Sequence, residues 1–258
     1  MQENNIMEST EHSQHEKVSY PAKHFIDNTK LTELVRVIEH NPLATLIYCD
    51  NAQQLHLSHI PFHFSNELLK QVKVNQCQSL VAQQLIGHVS NKHPIAQQLN
   101  SQVNSENNCK ANNENNCKAN SENRPLNISL IFHGEDAYIS PNDVSVEYRS
   151  MQKVPTWNYA KVHVEGYLTE VSCLQKKLQQ MTSTTEYFEK SKGNKDAQTK
   201  DKSLNWSIEQ APVKAIEQML KAITVFTLTI TSIEGRFKLS QNKPTQVREQ
   251  INQQLLKS

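Results

Sequence analysis

Between Asn158 and Leu168 the chain sets Ala160, Val162, Val164 and Leu168 on one side of a two-residue period and Tyr159, Lys161, His163, Glu165 and Tyr167 on the other. Side chains that alternate in this way belong to a strand with one buried face, and the length of the run predicts a long antiparallel strand. Immediately upstream, Pro155, Thr156, Trp157 and Asn158 put a fixed φ, a hydroxyl, an indole N–H and a carboxamide into four consecutive residues. Such a set at a strand mouth can stack against and hydrogen-bond a planar ligand. Trp157 and Tyr159 as plain rim aromatics, with Asn158 as a turn residue, is the competing reading.

The rest of the chain supplies partners for that strand. Tyr20 to Phe25 reads as an extended entry. Asp27, Asn28 and Thr29 offer caps ahead of Leu31, Leu34, Val35 and Ile38, which recur at helical spacing until Asn41-Pro42. Leu43 to Tyr48 predicts a buried strand, Asp50-Asn51 a turn and Leu55 to Phe62 the return strand. In that return strand Leu55, Leu57 and His59 share one face and His56, Ser58 and Ile60 the other, so His59 is expected among leucines as a core histidine or a ligand. A metal reading of His56, His59 and His63 fails on spacing, because strand geometry puts His59 and His63 on one face and His56 on the opposite one.

Leu68 to Val74 and Leu85 to Val89 are read as strands, Asn91 to Leu99 as a short helix capped by Asn91, and Ile128 to Gly134 as a strand whose glycine permits a bulge. Val171 to Lys190 has helical spacing in Leu174, Leu178 and Met181; Pro212 leads a second amphipathic helix; Phe226, Leu228 and Ile230 alternate with Thr227, Thr229 and Thr231 in a final strand. Residues 1–19 are polar and expected to be disordered. So is 100–124, where Asn107 to Glu114 is nearly copied by Asn115 to Glu122, too polar a stretch to offset its chain entropy. Residues 191–203 read as a charged linker, 20–243 as one domain around these interruptions, and 244–258 as a helical tail.

Hairpins and long strands without a β-α-β rhythm favour an antiparallel β-barrel with peripheral helices over a doubly wound sheet. Five glycines and no Gly-x-Gly-x-x-Gly, phosphate loop or Gly-x-Ser-x-Gly elbow exclude the usual glycine-rich nucleotide cradle and the hydrolase elbow. A formal charge of +1, with no basic stripe and no helix-turn-helix pattern, gives no support to direct DNA binding. Five cysteines with no Cys-x-x-Cys pair, no leader and no long apolar run predict a reducing, cytoplasmic setting away from membranes.

Seven landmarks in order carry a resemblance. They are Tyr20-Pro21 with His24-Phe25; Asn41-Pro42 with Ala44-Thr45-Leu46; Ser58-His59-Ile60-Pro61; Gly87-His88; Tyr138-Ile139-Ser140-Pro141; Val154 to Tyr159; and Gly235 to Asn242. Together they resemble the PaiB-type family of FMN-binding negative transcriptional regulators, whose members are similar to the pyridoxamine-phosphate oxidase-like split barrels. The resemblance implies an FMN-binding split β-barrel, a homodimer with the flavin between subunits, and a regulatory rather than enzymatic role. Its alternatives are a flavin-dependent oxidoreductase and a haem-binding or haem-degrading barrel that uses a histidine ligand. By motif position it implies His59, Lys153, Thr156, Trp157, Asn158, Lys238 and Gln241 as cofactor-binding residues, with no catalytic residue and no metal ligand. After Pro141, where relatives carry an aromatic pair and then a lysine, this chain has Asp143-Val144 and Glu147, and Asn91 stands where a basic residue is common. Those departures imply weakened or lost FMN binding.

Overall fold

A computed structural model describes residues 25–27, 30–99, 126–151, 154–195 and 205–255. Residues 1–24 and 100–125, including the tandem copy, lie outside that set, as do 28–29, 152–153, 196–204 and 256–258. The predicted central strand is β7, Thr156–Glu170, and it pairs antiparallel along most of its length with β6, Leu126–Ile139, on one side and β8, Ile223–Lys238, on the other. Its burial alternates as the sequence requires, with Ala160, Val162, Val164 and Leu168 inside.

The remaining strands are β1, Ile26–Asp27; β2, Leu43–Cys49; β3, Leu55–Pro61; β4, His63–Phe64; and β5, Gln84–Ser90. Along the hydrogen-bonded sheet they run β3-β2-β6-β7-β8-β5-β4, with β1 added to β8. The two ends of this order, β3 and β4, are separated in sequence by Phe62 alone. One chain segment therefore pairs first with β2 and then, past a bend, with β5, closing the sheet into a split barrel and leaving no long edge. Phe62 is fully buried at the bend, and its ring lies 5.9 Å from that of Phe226. Gly87 makes room for both: a Cβ there would sit 2.8 Å from each ring.

Helices cover the openings. α1, Leu31–His40, buries Leu34, Val35, Val37 and Ile38 against the barrel, each worth about 1.5–3 kcal/mol of transfer free energy. Asp27 Oδ1 accepts from the N–H of Lys30, the residue that caps this helix. α2 spans Asn66–Lys73, residues 94–99 form the short helix α3, and α4, Leu174–Lys195, α5, Val213–Ala222, and α6, Thr245–Leu255, follow. A second, smaller core joins Val247, Ile251 and Leu255 of α6 to Ala137 and Ile139 at the far end of β6 and to Val144.

Three local expectations are corrected. Leu68 to Val74 is helical, because the Ser65 hydroxyl accepts from the Leu68 N–H and caps the turn while Leu68, Leu69 and Val72 form one buried stripe. The leucine face of β3 points outward: Leu55 and Leu57 are 61% and 62% exposed, whereas Ile60 is buried. Asn91 does not cap a helix; its amide donates to Lys221 O at 2.6 Å and its carbonyl accepts from the Thr224 hydroxyl at 2.8 Å. Two boundaries also move outward: β6 continues past Gly134 through a bulge between His133 and Asp136, and α4 runs to Lys195, into the segment read as linker. Among the described residues no helix is long and apolar enough to cross a membrane.

Candidate functional site

Beyond its last barrel rungs β7 begins at Thr156, and there the exposed mouth collects groups that the barrel core does not use. Trp157 stands opposite Tyr138 of β6; both are more than half exposed, with ring centroids 5.9 Å apart and an edge-to-face tilt of 64°. Such a pair leaves a ring face free for a flat ligand. Lys238, at the end of β8, lies opposite Tyr159, and its ammonium donates to the Thr156 hydroxyl at 2.6 Å. A cation backed by a hydroxyl on adjacent strands is a donor pair suited to a phosphate.

Other predicted residues are engaged within the chain. Asn158 is fully buried; its Nδ2 donates to Ser240 Oγ at 2.9 Å, and the Ser240 hydroxyl lies 3.3 Å from Asn158 Oδ1. That exchange holds Ser240, which has a positive φ of 57°, at the turn leaving β8. Gln241 folds back on the same turn, donating to Phe237 O at 2.6 Å and accepting from the Leu239 N–H at 2.8 Å. Lys153 lies outside the described residues.

His59 is exposed on the outer face of β3, level with Thr45, Ile131 and His163 on the neighbouring strands. The Thr45 hydroxyl lies 3.3 Å from His59 Nδ1 and 2.9 Å from His133 Nε2. Since His163 is six residues along β7 from Trp157, the His59 level sits roughly 20 Å from the aromatic mouth at the usual strand rise. Within one chain, then, Thr156, Trp157 and Lys238 come together and His59 stands apart.

The residues that depart from the family pattern have structural work of their own. Asp143 Oδ2 accepts from the Ser140 N–H at 2.6 Å in a capping box on the 3-10 turn Pro141–Asp143, and Val144 is buried against α6. Pattern reasoning missed His63. Bending at Phe62 turns it inward, away from His59, where it is 1% exposed and stacked on Tyr187 at 4.7 Å, with Nε2 2.8 Å from the Thr184 hydroxyl. Burial holds its imidazole below the ordinary histidine range, with the nearby His88 adding to that effect. The irregular step between β3 and β4 has no periodic signature that could have exposed it.

One pair has the look of a nucleophile and its base, Ser58 Oγ at 2.9 Å from His93 Nε2. The Ile95 N–H donates to His93 Nδ1, which assigns the ring proton to Nε2; Ser58 therefore faces a donor.

A family model described as "Putative FMN-binding domain" matches residues 19–232. Among curated proteins, the protease synthase and sporulation protein PAI 2 of Bacillus subtilis (strain 168) is 31% identical over 119 residues, 45% of this chain and 49% of that protein. An uncharacterised protein of Emericella nidulans is 28% identical over 116 residues, 44% of this chain and 46% of its own length. The chain thus spans about half the length of the curated relatives it matches. Among solved structures, the flavocytochrome Anf3 from Azotobacter vinelandii aligns at 12% identity with a TM-score of 0.49, over 83% of this chain and 69% of that one. The FAD and heme binding protein from Mycobacterium smegmatis aligns at 11% identity and 0.47, over 88% and 79%.

Proposed function

Since the chain belongs to the FMN-binding domain family, we propose that it holds FMN at the β7 mouth as a homodimer and acts as a negative transcriptional regulator of the PaiB type. The observation that carries the cofactor reading is the meeting of Lys238, Thr156, Trp157 and Tyr138 on one exposed surface. In this reading Lys238 and Thr156 hold the phosphate through charge-assisted and hydroxyl hydrogen bonds, and Trp157 with Tyr138 offers an aromatic face to the ring. When bound, FMN supplies a flat ring able to accept and release electrons. Asn158 and Gln241 act one layer behind, shaping the turn after β8 from which Lys238 projects.

The separation of His59 from that mouth supports the homodimer. A two-fold partner is the commonest assembly, and it can present its own His59 to a site that one chain leaves half built. The regulatory role rests on the PaiB resemblance. With a formal charge of only +1 for the whole chain, the reading places regulation in a protein contact that senses FMN occupancy.

Titration of FMN by fluorescence tests the site. Lys238→Ala should weaken FMN binding by about tenfold or more through loss of a charge-assisted hydrogen bond, with the unfolding midpoint nearly unchanged. Equal affinity in the parent and Lys238→Ala proteins would remove Lys238 from the site, and absence of FMN binding in the parent would overturn the cofactor reading.

A further inference from the structure

The outer face of β3, β2, β6 and β7 is unlike an ordinary solvated sheet surface. Leu43, Leu55 and Leu57 are 58%, 61% and 62% exposed there, with the half-buried Ile47 and Ile131 beside them. His59, His133 and His163 sit among these residues, brought together by pairing of Thr45 with His59 and Ile131 and of Ile131 with His163. The lysine and the arginine on the same face are matched within the chain. Lys161 Nζ lies 2.6 Å from Asp136 Oδ2, and Arg236 Nε lies 2.7 Å from Glu234 Oε1.

We infer that this face is where a second copy of the chain docks, and that His59, His133 and His163 make the docking weaken as pH falls below neutral. The inference rests on the homodimer reading above and adds to it a place and a regulation. A two-fold contact sets a surface against its own copy, so a face carrying unmatched charge of one sign repels itself. With its lysine and arginine paired and its histidines neutral, this face is largely apolar and has no unmatched lysine or arginine, which suits self-association. Protonating the three histidines adds up to three positive charges to each copy, at the contact itself.

The groups that face His133 and His163 set one direction for both. His133 has Lys161 opposite it on β7, His59 across the Thr45 hydroxyl and Asp136 on its own strand; burial first, then Lys161 and His59, hold it below the ordinary range. His163 faces Glu234 on β8 and has Arg236, Glu165 and His133 nearby; burial first, then Arg236, lower it despite the two carboxylates. Among the described residues His59 has the Thr45 hydroxyl beside it and His133 beyond that hydroxyl. For scale, a free imidazole value of about 6.5 with a neutral form required in the dimer would cost about tenfold in the dimer dissociation constant at pH 5.5, and the lowered His133 and His163 contribute less than that. Counted in both copies, one such histidine amounts to about a hundredfold.

Sedimentation equilibrium of the full chain at pH 7.5 and 5.5, at constant ionic strength, tests this. The expected result is a dimer at pH 7.5 with a dissociation constant about tenfold or more larger at pH 5.5. The variant combining His59→Gln, His133→Gln and His163→Gln should be dimeric at both pH values. Leu57→Asp should be monomeric at both, while far-ultraviolet circular dichroism shows each variant folded. A parent dimer equally tight at both pH values overturns the proton sensitivity and leaves the homodimer standing, as does a triple variant that keeps the pH dependence. A dimer unaffected by Leu57→Asp overturns the choice of face. A parent that is monomeric at pH 7.5 and micromolar concentration overturns the homodimer itself.

Discussion

Asn158 shows how strand alternation parts residues that stand next to one another in sequence. Its position between Trp157 and Tyr159 put it at the ligand mouth, but strand alternation turns its carboxamide inward while theirs face outward. Inside, it meets Ser240 from a segment more than eighty residues away. Replacing Asn158 with Ala removes both hydrogen bonds and leaves a buried hydroxyl without its partner. The expected cost is about 1–3 kcal/mol of folding stability. Chemical denaturation measures it, and an unchanged unfolding free energy would place the Asn158 carboxamide outside the packing that holds Ser240. Trp157 next to it is more than half exposed beside Tyr138, which is why the ligand-facing role is proposed for it and not for Asn158.

At the scale of elements, β7 depends on β8 through a bulge. The register slips between Glu165 and Gly166, so that Glu165 pairs with Ser232 and Gly166 with Ile230. Gly166 is the residue on which this closeness rests, because a Cβ there would collide with the Thr229 carbonyl oxygen and press within 3.0 Å of Leu228. Backbone cannot yield as a flexible side chain can, so Gly166→Ala should destabilise the fold by at least about 1–3 kcal/mol, the range for overpacking. A thermal melt of the variant is the check, and a midpoint at or above that of the parent would mean that the two strands can part at the bulge without cost. α2 teaches a related lesson: a short run with Leu68, Leu69 and Val72 fits a strand until Ser65 is recognised as its cap.

Across the whole molecule, five of the described histidines share one electrostatic tendency. His63, His88, His93, His133 and His163 are all held below the ordinary histidine range, with burial the largest cause in each. In the unfolded chain each regains its ordinary affinity for protons, so below about pH 6.5 the unfolded state binds more protons than the folded one. Stability is therefore complete above that pH and declines as pH falls through the interval down to the folded values. Buried His63 alone contributes a slope of up to about 1.4 kcal/mol per pH unit. Urea unfolding between pH 7.5 and 5 should show this decline, and His63→Gln should flatten it. A parent whose unfolding free energy is level across that range would show that these side chains are hydrated in the folded state.

By itself the sequence determined the elements whose pattern is periodic: the inward and outward faces of β7, the hairpin of β2 and β3, the amphipathic α1 and α5, and the alternation in β8. Those follow from local sterics and from which side chains leave water, and the order of the landmark segments was enough to indicate the family. Only the tertiary structure decided which face of β3 met the core. With leucines on one face and Ile60 on the other, local hydrophobicity favours the leucine side, and barrel closure through the bend at Phe62 puts Ile60 inside. Tertiary structure likewise separated Asn158 from Trp157, tied Lys238 to Thr156 across eighty-two positions, and buried His63 beneath α4. Each of these depends on which distant strand arrives beside a residue, and that information lies in the closure of the barrel rather than in any local stretch of chain.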